Sequence, residues 1–183
     1  MRIPLDNNKK YLRQVYHCGD YIYKEWFKQA PQLNLTYSKL IDQIELIRRV
    51  DSTYILGHGE NTKIFWIKMR IIEGQSCWKY FVDSTSCEQD SFVEKIVNFI
   101  INHYESFYPI YHGDPTLSNI IMSEENTLQY IDYDNIQKNK NKIQVLKHIE
   151  SKCMEVLKKK KHVKIIKDLC HAYLYDNCKF KVN

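Results

Sequence analysis

Asp114 and Asn119 stand five residues apart, and Asp132 follows thirteen residues later at the end of an apolar run. The first two lie in His112-Gly113-Asp114-Pro115-Thr116-Leu117-Ser118-Asn119, the third in Ile131-Asp132-Tyr133-Asp134. That spacing suits phosphoryl transfer. One carboxylate meets an attacking hydroxyl, while an amide oxygen and a second carboxylate hold magnesium. Such chemistry asks the protein for positioning and charge compensation more than for covalent work.

The elements around these residues read as follows. Phe92, Ile96, Phe99, Ile100 and Tyr104 form a helical stripe across 90–107. Ile120–Met122, the turn Ser123–Asn126 and Leu128–Ile131 form a hairpin. Asp114 therefore lies in a loop between helix and hairpin, Asn119 just before one strand and Asp132 at the end of its partner. The returning hairpin lets Asp132 approach Asn119, so that amide and carboxylate oxygens can share a hard cation.

Upstream, residues 11–27 read as a hairpin around the turn His17-Cys18-Gly19-Asp20, and Gln29–Asn34 breaks the pattern. Leu40, Ile41, Ile44, Leu46 and Ile47 follow helical spacing, with Asn34 or Thr36 as cap. Strands at 54–57 and 63–70 flank a turn at 57–61, and residues 75–88 read as irregular. Residues 138–177 are Lys-rich with helical periodicity.

The His-Gly-Asp triplet, four residues, Asn, and then Ile-Asp-Tyr-Asp resembles the protein-kinase-like small-molecule kinases. These include aminoglycoside phosphotransferases, choline kinases and lipopolysaccharide core sugar kinases; Asp134 leans toward the last. The resemblance implies that Asp114 is the catalytic base and that Asn119 and Asp132 are magnesium ligands. It makes His112 and Asp134 structural supports of the loop. It places Lys24, in Ile22-Tyr23-Lys24, on the α- and β-phosphates of ATP. Glu45 on the following helix is its expected partner, with Asp42 one turn earlier as the alternative. Met69–Gly74 falls at the hinge, where Ile71 or Ile72 would lie against adenine; an ordinary edge strand is the alternative there. Gly113 stands where a protein kinase commonly has the Arg that receives an activation-loop phosphate.

Two departures stand beside these matches. The one candidate for a phosphate-clasping loop is His17–Asp20, with a single Gly. Few residues precede Lys24, which puts one strand of the family's sheet in question, and the C-terminal half is short.

The whole chain sets wider bounds. Its 183 residues suffice for one substantial core, and the +5 formal charge is modest. The six cysteines form no CxxC pair, and Met1–Asp6 opens no apolar leader segment, so reduced thiols in a cytoplasmic setting are expected. No run is long enough to cross a membrane. The run Lys158–Lys164 lacks interleaved aromatics and reads as a solvated helix face or interhelix turn. It argues for no specific nucleic acid and leaves peripheral contact with an anionic membrane as its second reading.

The expectation is a single α+β, protein-kinase-like bilobal domain over 1–183. An abbreviated sheet-plus-helix lobe covers 1–70, and a small, mainly helical lobe covers 71–183. Its activity would be ATP- and Mg2+-dependent phosphorylation of a hydroxyl on a small molecule: a sugar, glycolipid sugar or amino alcohol. The alternatives are a non-catalytic nucleotide-binding protein or scaffold pseudokinase, and a small protein kinase. Oligomeric state is left open.

Overall fold

Burial alternates strictly through Ile64–Arg70, where Phe65, Ile67 and Met69 are buried and their neighbours are only half-buried. Such a segment buries one face and can only be a strand. It is one of five in the first of two units. In the computed structural model, residues 3–8, 13–29, 35–157 and 159–179 are described. The chain divides into Met1–Ile71 and Ile72–Asn183.

The first unit holds β1 (Ile3–Asn8), β2 (Arg13–Cys18), β3 (Tyr21–Phe27), α1 (Tyr37–Val50), β4 (Ile55–Glu60) and β5 (Ile64–Arg70). The strands form one antiparallel sheet in the order β1-β2-β3-β5-β4. β1 supplies the strand that the sequence had put in question. Its Pro4 and Asn-rich end carry little strand propensity, and an edge position tolerates both. The turn His17–Asp20 joins β2 to β3, not the first two strands, so it is not the loop sought for the phosphates. Residues 9–12 connect β1 to β2 and lie outside the described residues, as do residues 30–34 of the expected break.

Helix α1 begins at Thr36, whose side-chain oxygen accepts from the Lys39 amide (3.3 Å). It buries Leu40, Ile44 and Ile47, spaced for one face. Each such burial contributes about 1.5–3 kcal/mol. Tyr37 stacks on Phe65 of β5 (5.8 Å between centroids), which places α1 on the face bearing Phe65, Ile67 and Met69. Asp51 ends the helix and accepts from Arg70 (2.8 Å). Burial pushes its carboxyl up, but hydrogen bonds from Arg70 and Thr53 outweigh that and hold it below the usual range. The β4–β5 turn falls at residues 61–63, later than expected. Asn61 Oδ1 holds the amides of Lys63 and Ile64 there (2.8 and 3.0 Å).

The second unit runs β6 (Gln75–Ser76), α2 (Cys77–Asp83), α3 (Ser86–Phe107), β7 (Ile110–His112), β8 (Ile120–Met122), β9 (Leu128–Tyr130), β10 (Ile136–Lys138), α4 (Lys142–Val156) and α5 (Lys160–Lys179). The stretch 75–88, expected to be irregular, instead forms β6, α2 and the first turn of α3. Ser76 caps α2, accepting from Lys79 N–H (3.3 Å), and Cys77 and Phe81 are its buried anchors. Glu88 accepts from the Thr85 amide (2.8 Å) and starts α3. A helix of one or two turns is too short to print a stripe in the sequence.

The core joins Val93, Ile96, Val97, Ile100 and Tyr104 of α3 to Val145, Leu146 and Ile149 of α4 and Ile166 and Cys170 of α5. Cys18, Cys77, Cys87, Cys153 and Cys170 are free thiols. The basic run holds the break between α4 and α5, as expected, and Lys159 and Lys161 bond Gln89 and Asp90 of α3. Among the described residues, no helix is long and apolar enough to cross a membrane.

Candidate phosphoryl-transfer centre

Two small sheets of the second unit set the candidate residues. β8 pairs antiparallel with β9, Ile120 opposite Tyr130. The Ile131 amide donates to the Asn119 carbonyl (2.9 Å), extending the ladder by one bond. Asp132 is thus held one residue beyond the rung that grips Asn119. The second sheet pairs β7 with β10, His112 opposite Ile136. Three-residue strands leave almost no alternation to read, and this pairing was not anticipated.

Asp114 and Asn119 meet directly. The Asn119 amide nitrogen donates to the Asp114 carbonyl and to Asp114 Oδ2, each at 3.0 Å. With Nδ2 facing two acceptors, the amide orientation is determined, and Oδ1 points away from Asp114. The Asp114 carbonyl also accepts from Thr116 N–H (2.8 Å), so the loop closes as a tight turn before the short helical turn Leu117–Asn119. Asp114 itself is only partly buried, its carboxylate a third exposed. Asp132 adopts left-handed backbone angles (φ 55°, ψ 59°), unusual for a residue with a Cβ. Such strain collects at functional sites.

His112 is the brace. Its Nδ1 accepts from the Asp114 amide (3.2 Å), so Nε2 carries the proton and donates to the Ile131 carbonyl (3.0 Å). One imidazole therefore spans the loop of Asp114 and the segment of Asp132. Both ring nitrogens are engaged, which leaves none for a metal. Burial pushes its pKa down, against the weaker pull of the Ile131 bond and of Asp132 and Asp114. The ring stacks on Tyr130 (4.5 Å, 16° between planes), and buried Tyr133 packs at 5.3 Å. Tyr133, between the two aspartates, is a buried anchor to which the sequence reading gave no role. Asp134 lies half-buried in the turn Tyr133–Asn135.

Gly113 has a structural reason to be glycine. Its amide donates to the Asn135 carbonyl (2.9 Å), and an added Cβ would sit 2.2 Å from that oxygen. Any side chain there would require the Asn135 carbonyl to shift.

Two residues of α4 escaped the sequence reading. His148 Nε2 donates to the Gly113 carbonyl (2.7 Å), and Lys152 Nζ lies 3.8 Å from Asp114 Oδ1. They are four apart and so share one helix face. Nothing in a Lys-rich helix marks one lysine from another before the helix is placed.

In the first unit, Lys24 is buried at 3% exposure on β3. It stands opposite Ile67 and so shares the α1-covered face of the sheet. Glu45 is exposed on α1, next to buried Ile44, and Asp42 is exposed as well. Ile71 and Ile72 are half-buried and flank the boundary between the units. Among the described residues, no group of three or more His, Cys, Asp or Glu could hold a metal as a closed cage. Magnesium is normally held by one or two carboxylates with substrate phosphates rather than by such a cage. An Asn and an Asp brought to one end of the β8–β9 hairpin by the Ile131–Asn119 bond are donor types of that kind.

No protein-family model matches the chain, and no curated protein matches it. Solved structures do match. A crystal structure of WbdD aligns with a TM-score of 0.54 at 16% identity, covering 79% of this chain and 35% of that one. A structure of the bifunctional kinase-methyltransferase WbdD gives 0.52 at 14%, over 80% and 35%. WbdD crystallised with a kinase inhibitor gives 0.53 at 14%, over 86% and 43%. The chain spans less than half the length of these structures. At such identities the likeness establishes the fold: this is an α+β chain with a kinase-like fold.

Proposed function

We propose that the chain is an ATP- and Mg2+-dependent phosphotransferase whose acceptor is a hydroxyl of a small molecule, of the sugar, glycolipid sugar or amino alcohol class. The observation that carries this reading is the pair of bonds from Asn119 to Asp114, locked by His112 to the segment that bears Asp132. Asp114 orients the acceptor hydroxyl and takes its proton. Asn119 Oδ1 and Asp132 would hold magnesium, which, when bound, neutralises charge on the nucleotide's phosphates. Lys24 is the proposed contact for the α- and β-phosphates, Glu45 its support, and Ile71 and Ile72 the proposed adenine contacts. Asp134 supports the turn that presents Asp132. The kinase fold of the WbdD structures, one of them with a kinase inhibitor, supports nucleotide binding here. The packing of Gly113 against Asn135 favours a small-molecule acceptor over a phospho-activated protein kinase.

The test is labelled-phosphate transfer from ATP across a panel of sugars and amino alcohols. Asp114→Asn and Asp132→Ala should each lose transfer by roughly 10²-fold or more. Wild-type rates in either variant would sink the assignment.

One observation favours a second reading, a non-catalytic nucleotide-binding scaffold. The connection between β1 and β2, Lys9-Lys10-Tyr11-Leu12, contains no glycine, whereas kinases clasp phosphates there with a Gly-rich loop. Under that reading no acceptor is phosphorylated, and a lack of thermal stabilisation by ATP with magnesium would mark a scaffold that does not hold the nucleotide.

A further inference from the structure

Lys152 has no counterpart in the reading above, yet its ammonium stands beside the proposed base. We propose that Lys152 is a catalytic cation that contacts the transferring phosphoryl group; this rests on the phosphotransferase reading.

Four observations converge on it. First, α4 is pinned from below by buried Val145, Leu146, Ile149 and Cys153, so the face it turns to the loop is set by the core. Second, that face already grips the loop one turn earlier, through His148 and the Gly113 carbonyl at 2.7 Å. Third, Lys152 Nζ is 3.8 Å from Asp114 Oδ1, on the carboxylate oxygen that Asn119 does not hold. Fourth, 3.8 Å is too long for a hydrogen bond, so the ammonium is near the carboxylate without being locked to it. Glu155 takes one of its N–H groups at 3.2 Å. A Lys has three, so donors remain for an incoming anion.

The chemistry supplies that anion. The acceptor oxygen attacks the γ-phosphorus and forms the new P–O bond. The bond from phosphorus to the β,γ-bridging oxygen breaks, its electron pair leaving on the nucleoside diphosphate. The hydroxyl proton passes to Asp114. Negative charge spreads over the equatorial oxygens during transfer, and a positioned cation there is worth 10³–10⁵ in rate in its best-known form, about the upper end of what one residue supplies. The attacking oxygen must lie within hydrogen-bond reach of Asp114, so the phosphorus it approaches lies a few ångströms from Lys152.

The experiment compares wild type, Lys152→Ala, Lys152→Met and Lys152→Arg. It reads steady-state transfer and the affinities for Mg-ADP with and without aluminium fluoride, which mimics the phosphoryl group in flight. Thermal melts check folding; the Met variant keeps the stem that packs on the helix. The expected result is a kcat loss on the order of 10²-fold in Ala and Met with KM for ATP within about threefold. Tighter binding of the aluminium fluoride complex should be lost while Mg-ADP affinity stays, and Arg should recover part of both. A kcat within threefold of wild type in Ala and Met overturns the proposal, as does an equal loss of Mg-ADP affinity with and without fluoride, which would mark a structural ion pair. If wild type neither transfers phosphate nor binds the fluoride complex more tightly than ADP, the phosphotransferase reading itself falls, and Lys152 with it.

Discussion

At the scale of single residues, the centre depends on one neutral imidazole. His112 accepts from Asp114 and donates to Ile131, so replacing it leaves two backbone groups without partners. His112→Phe keeps the stacking on Tyr130 but loses both bonds. Each orphaned group costs about 1–3 kcal/mol, so urea unfolding should show a loss of about 2–6 kcal/mol. Transfer should fall with it, because the loop of Asp114 loses its tie to Asp132. A stable, fully active His112→Phe would mean that the brace is dispensable. The proposed base and magnesium ligands, Asp114, Asn119 and Asp132, were named from residue type and short spacing alone. His148 and Lys152 were not, since they reach the loop from 35 positions or more along the chain.

At the scale of elements, the β7–β10 pairing decides the shape of the loop. Gly113→Ala would push a methyl group to within 2.2 Å of the Asn135 carbonyl, a backbone atom that cannot swing aside. Overpacking of this kind costs about 1–3 kcal/mol, so the variant should melt several degrees below wild type. An unchanged melting temperature would show that the turn Tyr133–Asn135 yields easily. Gly74 is a second such point: its φ is +134°, and a Cβ there would meet the Met122 carbonyl at 2.3 Å. The long elements were readable from periodicity: α1, α3 and the strands β2, β3 and β5 fall close to where their patterns place them. β6, α2, β7 and β10 were missed, because two to seven residues hold too little periodicity to separate strand, helix and loop. β1 was missed for a different reason: its residues are poor strand formers, and only pairing with β2 makes it a strand.

At the scale of the whole molecule, stability should depend on pH through buried imidazoles. Burial, with a smaller contribution from nearby His112, pushes His103 down to about 4. A base with a depressed folded pKa takes up its proton more readily in the unfolded chain. The contribution is therefore neutral above about 6.5, the unfolded value, and grows as a penalty while pH falls toward 4. Its size is on the order of 2 kcal/mol after allowance for partial solvation. The gap in melting temperature between His103→Phe and wild type should shift in the variant's favour from pH 7 to pH 5; a constant gap would contradict this. Ligand linkage gives a second global test. ATP with magnesium at 100 times its Kd should stabilise the chain by about 2.7 kcal/mol, and no stabilisation would exclude both the enzyme and the nucleotide-binding scaffold. The sequence by itself determined the spacing of Asp114, Asn119 and Asp132, on which the proposed chemistry rests, and the amphipathic patterns of the long elements. Both are local: reactivity follows from side-chain type, and periodicity from the geometry of a single helix or strand. Only the tertiary structure decided that β1 completes the sheet, that Gly113 is glycine for want of room, that His112 is neutral, and that α4 turns His148 and Lys152 onto the loop. Those are outcomes of pairing and packing between segments far apart in the chain, and no short window of sequence contains them.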